Sequence, residues 1–398
     1  MPGRAERSRS IALMPHFDPE ATLPSAPDPW AGSTMPPLRD GPPYAMTEMI
    51  GAEPALAERL VRRLTADPAI PRLAALVRGA VADGRPILTT GCGTSEHAAL
   101  MAAALLEDAL GADVRSAQAF ELTRRPPAHG VMLAISHEGG TAATNGALLG
   151  AREAGAATAL ITVSDRSPGA GLADLLLLTE EQDQSWCHTV GYLSPLVAAA
   201  VLVGALCEQP IDPVVVRALL QIADHEAGAE EMAAALSGCT RLLVVGSGVD
   251  YPAAREFALK VEEGARLPAT AHHLETIRHG HLAAADAHTG LVLLLTDGEA
   301  WGEPLLGRSR DVLRTTAALG MPAAAILVAD LGDDIPLELT AAGRLAVPLA
   351  AGLPRIIAAA LGSAIPLQLL TERLARARGV NPDTLGREDP RQAAAAEA

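Results

Sequence analysis

Short apolar runs alternate with longer helical segments along most of the chain. From residue 46 onward, each run is followed by a loop and by a segment whose apolar residues recur every three or four positions. Such runs predict buried strands, and the longer segments predict amphipathic helices. Strands that alternate with helices predict an α/β fold with parallel sheets and helices on both faces. The apolar runs lie within PILTT, HGVMLAIS, TALITVS, DLLLLT, TRLLVVG, TGLVLLLT, PAAAILVAD and GRLAVPL.

The alternation runs through two similar cycles. ILTTGCGTSEHAALMAAALLED (87–108) and LLVVGSGVDYPAAREFALKVEE (242–263) each join a strand, a G-x-G loop and an amphipathic helix. This similarity predicts two tandem, doubly wound, flavodoxin-like lobes. The chain starts differently, because its first 45 residues hold ten of the 30 prolines and show no apolar periodicity. We therefore expect a disordered leader at 1–45, a first lobe at 46–225, a second lobe at 226–388 and a disordered tail at 389–398.

The composition limits the classes of partner and compartment. A net charge of −16 without any basic run argues against nucleic acid. No apolar run reaches the roughly 18 residues that span a bilayer, so no membrane partner is expected. The four cysteines stand far apart without CxxC spacing, which argues against a disulfide framework and favours a reducing, cytoplasmic location.

Hydroxyl-bearing loops follow three elements of the first lobe. Thr94 and Ser95 lie in the G-x-G loop, which lacks the third glycine of a dinucleotide fingerprint, and a second loop runs from Ser136 to Thr141. A third segment is QDQSWCHTVGYLS (182–194). Loops after parallel strands meet at the carboxyl end of the sheet, where such folds bind ligands. We expect these loops to hold a phosphate or sugar hydroxyls; helix capping by Ser95 alone is the simpler alternative.

Candidate acid–base residues lie in the second lobe. Lys260 and Glu263 are one helical turn apart, and apolar neighbours of Glu263 favour a raised pKa suited to proton abstraction beside a carbonyl. The alternative is a solvated ion pair. His279 lies in a glycine-broken turn. The nearby His272, His273 and His281 match no zinc spacing, so we expect no metal.

At this point the sequence resembles a known family, the tandem sugar isomerase (SIS) domains, and in particular the isomerase half of the glutamine–fructose-6-phosphate aminotransferases. The resemblance covers nearly everything from residue 46 to about 388, and ETIRHGHLAAAD is similar to the family's E-L-K-H-G-P-L-A-L-I-D. The other stretches that carry it are GCGTSEHA (91–98), AISHEGGTAATNGAL (134–148), GSGVDYPAAREFALKVEEGA (246–265) and the opening MTEMIGAEP (46–54).

The resemblance implies a role for each matching residue. Glu263 falls on the enolisation base that moves a proton between C1 and C2, with Lys260 near the sugar. His279 falls on the histidine that assists ring opening, often supplied by the neighbouring subunit. Thr189 falls on the threonine of the family's V-A-S-T-K, which here reads WCHTV. The residues that fall on the phosphate-binding positions are Ser95, Ser136, His137 and Thr141.

The chain departs from the family pattern at two candidate ligand-binding positions. Glu138 replaces a phosphate-binding serine, and a carboxylate roughly 4 Å from a phosphate would cost several kcal/mol at an effective dielectric near 20. Glu138 therefore points away, pairs with a cation such as Arg124, Arg125 or His137, or faces a ligand that is not a phosphate. Arg387 stands at the family's C-terminal lysine, and a guanidinium does not form a Schiff base.

Three functions are compatible with these features. The first is a cofactor-independent sugar-phosphate isomerase or aminosugar deaminase that transfers a proton between C1 and C2 through an enediol(amine). The second is a non-catalytic phosphosugar-binding regulatory protein, and the third is an isomerase of a non-phosphorylated sugar derivative. The first 45 residues contain no cysteine to serve as a glutaminase nucleophile, so a complete aminotransferase is not expected. The expected partners are a small sugar or sugar phosphate and a second copy in a homodimer.

Overall fold

Two parallel sheets of five strands form the frame of the protein. The computed structural model describes residues 17–25, 39–297 and 302–397. The first sheet contains β1 (Ile87–Thr90), β2 (Arg115–Ser116), β3 (Val131–Ile135), β4 (Ala157–Thr162) and β5 (Leu175–Leu178). The second contains β6 (Arg241–Gly246), β7 (Ala269–His273), β8 (Thr289–Leu295), β9 (Ala323–Val328) and β10 (Arg344–Val347).

Both sheets have the same strand order. The first sheet runs β2-β1-β3-β4-β5 and the second β7-β6-β8-β9-β10, and every pairing is parallel. This is the flavodoxin-like order 2-1-3-4-5, in which ligands bind outside the carboxyl ends of the strands where the order reverses. The predicted α/β class with two tandem flavodoxin-like lobes is confirmed.

The pattern of apolar runs located eight of the ten strands and missed β2 and β7, each of which lies at one edge of its sheet. β2 is a two-residue strand of Arg115 and Ser116, and β7 includes His272 and His273. An edge strand has a partner on one side only, and both of these strands carry exposed or half-buried residues. Because neither strand has to be apolar, neither produces a run that sequence reasoning can detect.

Helices cover both faces of each sheet and join the lobes. One helix of the first lobe, α3, packs against α9 of the second, and α6 lies entirely within the core from Val190 to Gly204. Within the described ranges, no helix has the length and apolar character that crossing a membrane requires. The helices are α1 (Ala45–Thr65), α2 (Ala69–Ala82), α3 (Thr94–Leu110), α4 (Ala119–Leu122), α5 (Ala142–Glu153), α6 (Val190–Leu206), α7 (Pro213–Leu219), α8 (Glu226–Leu236), α9 (Asp250–Ala265), α10 (Gly302–Ala318), α11 (Arg355–Gly362), α12 (Ala364–Ala377) and α13 (Pro390–Glu397).

The described parts of the two predicted terminal segments are ordered. Within residues 17–25, Leu23 is buried and its backbone N–H donates to the Glu181 carboxylate at 2.9 Å, while Ser25 forms a β-bridge with Glu181. A buried leucine and a paired backbone thus hold residues 17–25 to the first lobe, while disorder of the leader as a whole stays a prediction. The predicted tail contains the helix α13. The remaining leader residues, 1–16 and 26–38, lie outside the described ranges.

Candidate active site

A cavity of about 300 Å³ opens at the carboxyl end of the first sheet and receives one helix of the second lobe. Seven of the eleven predicted site residues line it. A larger groove of about 580 Å³ lies near the starts of β1 and β2, and none of the predicted residues lines that groove. The residues around the smaller cavity are Cys92, Thr94, Ser95, Ser136, His137, Glu138, Thr141, Trp186, His188 and Glu263.

Two tight turns bring helix N-termini to this cavity. A β-carbon at Gly91 would lie 2.4 Å from the Ser95 carbonyl oxygen, so only glycine allows the chain to turn there into α3. In the second turn, Gly139 has φ +72° and a β-carbon there would meet Ser167. The helices α3 and α5 then begin at Thr94 and Ala142, directly beside the lining residues. Free N–H groups and hydroxyls at two helix N-termini form a favourable place for an anion.

A third segment, residues 183–191, borders the cavity and is held in place by the buried carboxylate of Asp183. This carboxylate accepts hydrogen bonds from the backbone N–H groups of Ser185 at 2.8 Å, Thr189 at 2.6 Å and Gly191 at 2.9 Å. Burial raises the pKa of Asp183, and His137 and the three N–H donors oppose that rise. The segment from 183 to 191 is thereby fixed in place with Trp186 and His188 against the cavity.

His137 is a neutral imidazole of defined tautomer. Its Nε2 accepts a hydrogen bond from the Asp183 backbone N–H at 3.0 Å, so the ring proton is on Nδ1. Burial and, to a smaller extent, the neighbouring His188, whose ring centroid is 5.3 Å away, lower the pKa of His137 to about 4, against the opposing effect of Asp183. Near neutral pH, His137 therefore offers a hydrogen-bond donor without a positive charge.

Glu263 enters the cavity as the exposed end of a buried charge network on α9. Lys260 Nζ lies 2.5 Å from Glu263 Oε2 and 3.6 Å from Glu256 Oε1. The Glu256 carboxylate also contacts His97 Nδ1 at 2.8 Å and accepts a hydrogen bond from the Thr94 hydroxyl at 3.2 Å. Glu256 and His97 were missed in the sequence because a glutamate one turn from a lysine looks like an ordinary surface pair.

Within this network, the attraction between opposite charges outweighs the effect of burial on two pKa values. Burial lowers the pKa of Lys260, but the carboxylates of Glu256 and Glu263 outweigh it and raise the pKa above its usual value. Burial raises the pKa of Glu256, but Lys260, His97 and Thr94 outweigh it and hold the pKa below its usual value. Glu256 is completely buried, and the Lys260 side chain is 1% exposed against 27% for Glu263. The solvated ion pair is therefore the wrong alternative, and the expected apolar surrounding of Glu263 is replaced by an ammonium group.

Four predicted site residues do not line the cavity. Lys260 lies beneath it. Thr189 is buried, with its N–H bonded to Asp183 and its hydroxyl without a partner among the described residues. The His279 side chain is 70% exposed and its Nε2 lies 3.0 Å from Glu275 Oε1. Arg387 lies beside the cavity, its guanidinium carbon 3.5 Å from the centre of the Trp186 ring.

Glu138 lines the cavity as an exposed side chain. Within the described ranges it forms no ion pair, so the suggested pairing with Arg124, Arg125 or His137 is wrong. Because the carboxylate is solvated, its repulsion of an anion is weaker than for a buried charge.

Three lining residues, Cys92, Trp186 and His188, were missed as site residues. Trp186 is half-buried and lines one side of the cavity. The sequence could have pointed to His188, because WCHTV has histidine at the position where the family's V-A-S-T-K has serine. That substitution places an imidazole among the hydroxyl groups.

The second lobe has a corresponding turn with a different occupant. A β-carbon at Gly246 would lie 2.3 Å from the Asp250 carbonyl oxygen, as one at Gly91 would from Ser95. The buried Asp250 carboxylate accepts hydrogen bonds from the Thr296 backbone N–H at 3.0 Å and from its hydroxyl at 2.5 Å. Burial raises the pKa of Asp250 to about 6 against these hydrogen bonds.

Three histidines of the second lobe contact another aromatic ring. The His272 and His281 rings are 4.1 Å apart, and His273 stacks on Tyr251 at 3.5 Å. In the described part of the chain, no three His, Cys, Asp or Glu side chains are arranged to hold a metal ion.

Comparison with known proteins identifies the family. The SIS domain model matches residues 81–208 and 235–301. The isomerizing glutamine–fructose-6-phosphate aminotransferase of Symbiobacterium thermophilum is 30% identical over 365 residues, which make up 87% of this chain and 58% of that protein. This chain thus spans little more than half the length of that relative.

Solved structures show the same fold. The C-terminal domain of glucosamine-fructose-6-phosphate aminotransferase from Francisella tularensis has a TM-score of 0.73 at 20% identity, covering 87% of this chain and 99% of that one. Tagatose-6-phosphate ketose/aldose isomerase from Escherichia coli has a TM-score of 0.68 at 20% identity, covering 89% and 98%. The chain is therefore a tandem SIS-domain protein, homologous to the isomerase part of the glutamine–fructose-6-phosphate aminotransferases.

Proposed function

We propose that this protein is an isomerase or deaminase of phosphorylated sugars that starts each reaction by moving a proton between C1 and C2. The observation that carries the proposal is the position of Glu263, whose carboxylate faces the same cavity as the hydroxyls and helix N-termini of the first lobe. A base opposite an anion site is what C2 deprotonation of an anchored sugar phosphate requires.

The cavity divides into an anchoring side and a reacting side. On the anchoring side, Ser95, Ser136 and Thr141 with the N-termini of α3 and α5 would hold the phosphate. On the reacting side, Glu263 would remove the C2 proton of the open-chain sugar. The electrons of the C–H bond then form the C1=C2 bond of an enediol, and the carbonyl oxygen takes up a proton.

Lys260 supports the base and does not touch the sugar. Its ammonium group lies 2.5 Å from Glu263, and the side chain is buried. We therefore propose that Lys260 positions the Glu263 carboxylate. Return of the proton to C1 gives the ketose. Where C2 carries an amine, protonation of the corresponding enolamine at C1 gives a C2 imine, which water hydrolyses to the ketose and ammonia, so isomerase and deaminase share their first step.

Arg387 favours chemistry without a Schiff base between the protein and the sugar. A guanidinium stays charged and does not condense with a carbonyl. Because Arg387 forms no ion pair with a described residue, its charge remains available to an anionic substrate beside Trp186. His279 is exposed, so we propose that it assists ring opening in the cavity of a second copy within a homodimer.

Solvent exchange tests this proposal directly. The full chain is incubated in D₂O with a panel of hexose 6-phosphates, hexosamine 6-phosphates and the free sugars, and deuterium at C2 is followed by NMR. We expect exchange with at least one phosphorylated sugar, its loss in Glu263→Gln with binding kept, and normal rates in the control Glu262→Gln, whose side chain is exposed on the same helix. Binding without exchange would refute the enzyme and favour a regulatory sugar-binding protein.

A further inference from the structure

The imidazole of His188 occupies a position from which it can act together with Glu263. Both residues line the same cavity. The preceding residue, Cys187, packs against α9, its Sγ lying 3.9 Å from the Lys260 carbonyl oxygen and within 3.4 Å of a β-carbon placed on Gly264. His188 is thereby held beside the last turn of α9, where Glu263 is located.

The ring nitrogens of His188 have no partner within the described part of the protein. The two other histidines near the cavity are engaged, His97 with the Glu256 carboxylate and His137 with the Asp183 N–H. The His188 ring instead borders on Gly191, where a β-carbon would lie 3.0 Å from Nδ1, and on the His137 ring. The ring is partly exposed and lines the cavity, so a ligand bound there can form hydrogen bonds with its nitrogens.

The environment of His188 keeps its imidazole neutral. Burial and, to a smaller extent, the Lys260 ammonium lower its pKa to about 4, against the opposing effect of the Glu256 carboxylate. A neutral imidazole beside a carboxylate base is an effective pairing for enolisation, because the imidazole N–H donates to the carbonyl oxygen while the carboxylate removes the carbon-bound proton.

We propose that His188 is a second catalytic residue of this cavity, a neutral imidazole that polarises the sugar carbonyl and carries a proton between O2 and O1. This inference rests on the proposed function. Glu263 takes the C2 proton, the C–H electrons form the C1=C2 bond, and the carbonyl π electrons move to O1, where the His188 N–H stabilises the oxyanion. The imidazole then transfers the hydroxyl proton of O2 to O1, and Glu263 returns its proton to C1, so that no atom is gained or lost.

His188 and His279 would have different roles. Within the same chain, His279 is not placed to transfer a proton between O2 and O1. His279 is exposed and bonded to Glu275, away from the cavity lining. Ring opening and enolisation are separate steps, so an imidazole from a second copy and His188 do not compete for one role.

The test compares His188 variants on the phosphorylated sugar that the wild-type protein exchanges fastest. General acid–base groups contribute about 10²- to 10⁴-fold, so His188→Ala is expected to lose at least about 100-fold in kcat with KM changed less than about threefold. Added imidazole should restore part of the rate in proportion to its concentration. His188→Gln keeps the volume and a donor but not the proton transfer, and is expected to lose at least about tenfold. His288→Gln, at an exposed histidine, is the control.

The possible outcomes separate the two proposals. If His188→Ala and His188→Gln keep kcat within fivefold while Glu263→Gln is inactive, the role of His188 is refuted and the proposed function stands. A loss confined to KM, or a lost kcat that imidazole does not restore, also refutes it, because a merely structural role predicts either. If the wild-type protein exchanges no sugar, both proposals fail together.

Discussion

Replacement of Lys260 by methionine should be among the most destabilising changes in the protein. The change removes a buried ammonium group but leaves the Glu256 carboxylate, which is completely buried, without its main counter-charge. At 3.6 Å, two unit charges attract by about 5 kcal/mol at an effective dielectric near 20. The lost desolvation cost of the ammonium offsets part of this, and breaking buried pairs by removing one partner typically costs about 3–5 kcal/mol. We expect a loss in that range for Lys260→Met.

Two companion variants test the reasoning behind that number. Glu263→Gln should cost only about 1 kcal/mol, because Lys260 keeps Glu256 and the lost carboxylate is partly solvated. The double variant Lys260→Met/Glu256→Gln should be more stable than Lys260→Met alone, since the uncompensated carboxylate is gone. Urea unfolding followed by circular dichroism at pH 7.5 gives all three free energies. A loss below 1 kcal/mol for Lys260→Met, or a double variant no more stable than Lys260→Met alone, would show that the network is not electrostatically coupled.

Two further predictions concern the lining of the cavity. Because Glu138 is exposed and has no ion-pair partner among the described residues, Glu138→Ser should tighten phosphosugar binding by only roughly twofold to fivefold in calorimetric titrations; weaker binding would contradict the repulsion argument. His137 has a folded-state pKa of about 4 against 6.5 when unfolded, so its contribution to stability is present above pH 6.5 and is lost as the pH falls toward 4, up to ~3 kcal/mol. His137→Gln should therefore show a smaller fall in unfolding free energy between pH 7.5 and 4.5 than the wild-type protein, and equal slopes would exclude His137 as the source.

The sequence predicts the frame and the first-lobe loops of this protein well. Apolar runs reveal central strands because a strand covered on both faces must be apolar, and the loops that follow β1 and β3 then meet at one edge by topology alone. The topology therefore predicts that Ser95, Ser136 and Thr141 lie close together. Their catalytic or binding roles remain predictions.

The sequence did not predict which polar residues are buried or which partners they have. Glu256 is buried because α9 packs on α3, which brings it to His97, 159 positions earlier in the chain. Periodicity shows that a helix has two faces, but not that its polar face meets another helix. Asp183 was missed for a similar reason, since its three backbone partners exist only once the following segment has folded around it.

The Asp250 carboxylate makes the two lobes unequal partners. Both lobes form the same glycine turn, yet Ser95 occupies the position in the first lobe that Asp250 occupies in the second. In the second lobe the carboxylate already receives the N–H and hydroxyl of Thr296, so an incoming phosphate would meet a resident negative charge. In the proposed function the two lobes would therefore differ in their roles. The first lobe would receive the anion, while the second keeps its own carboxylate and would contribute the base from α9, so that two similar sheets would form a single reaction centre.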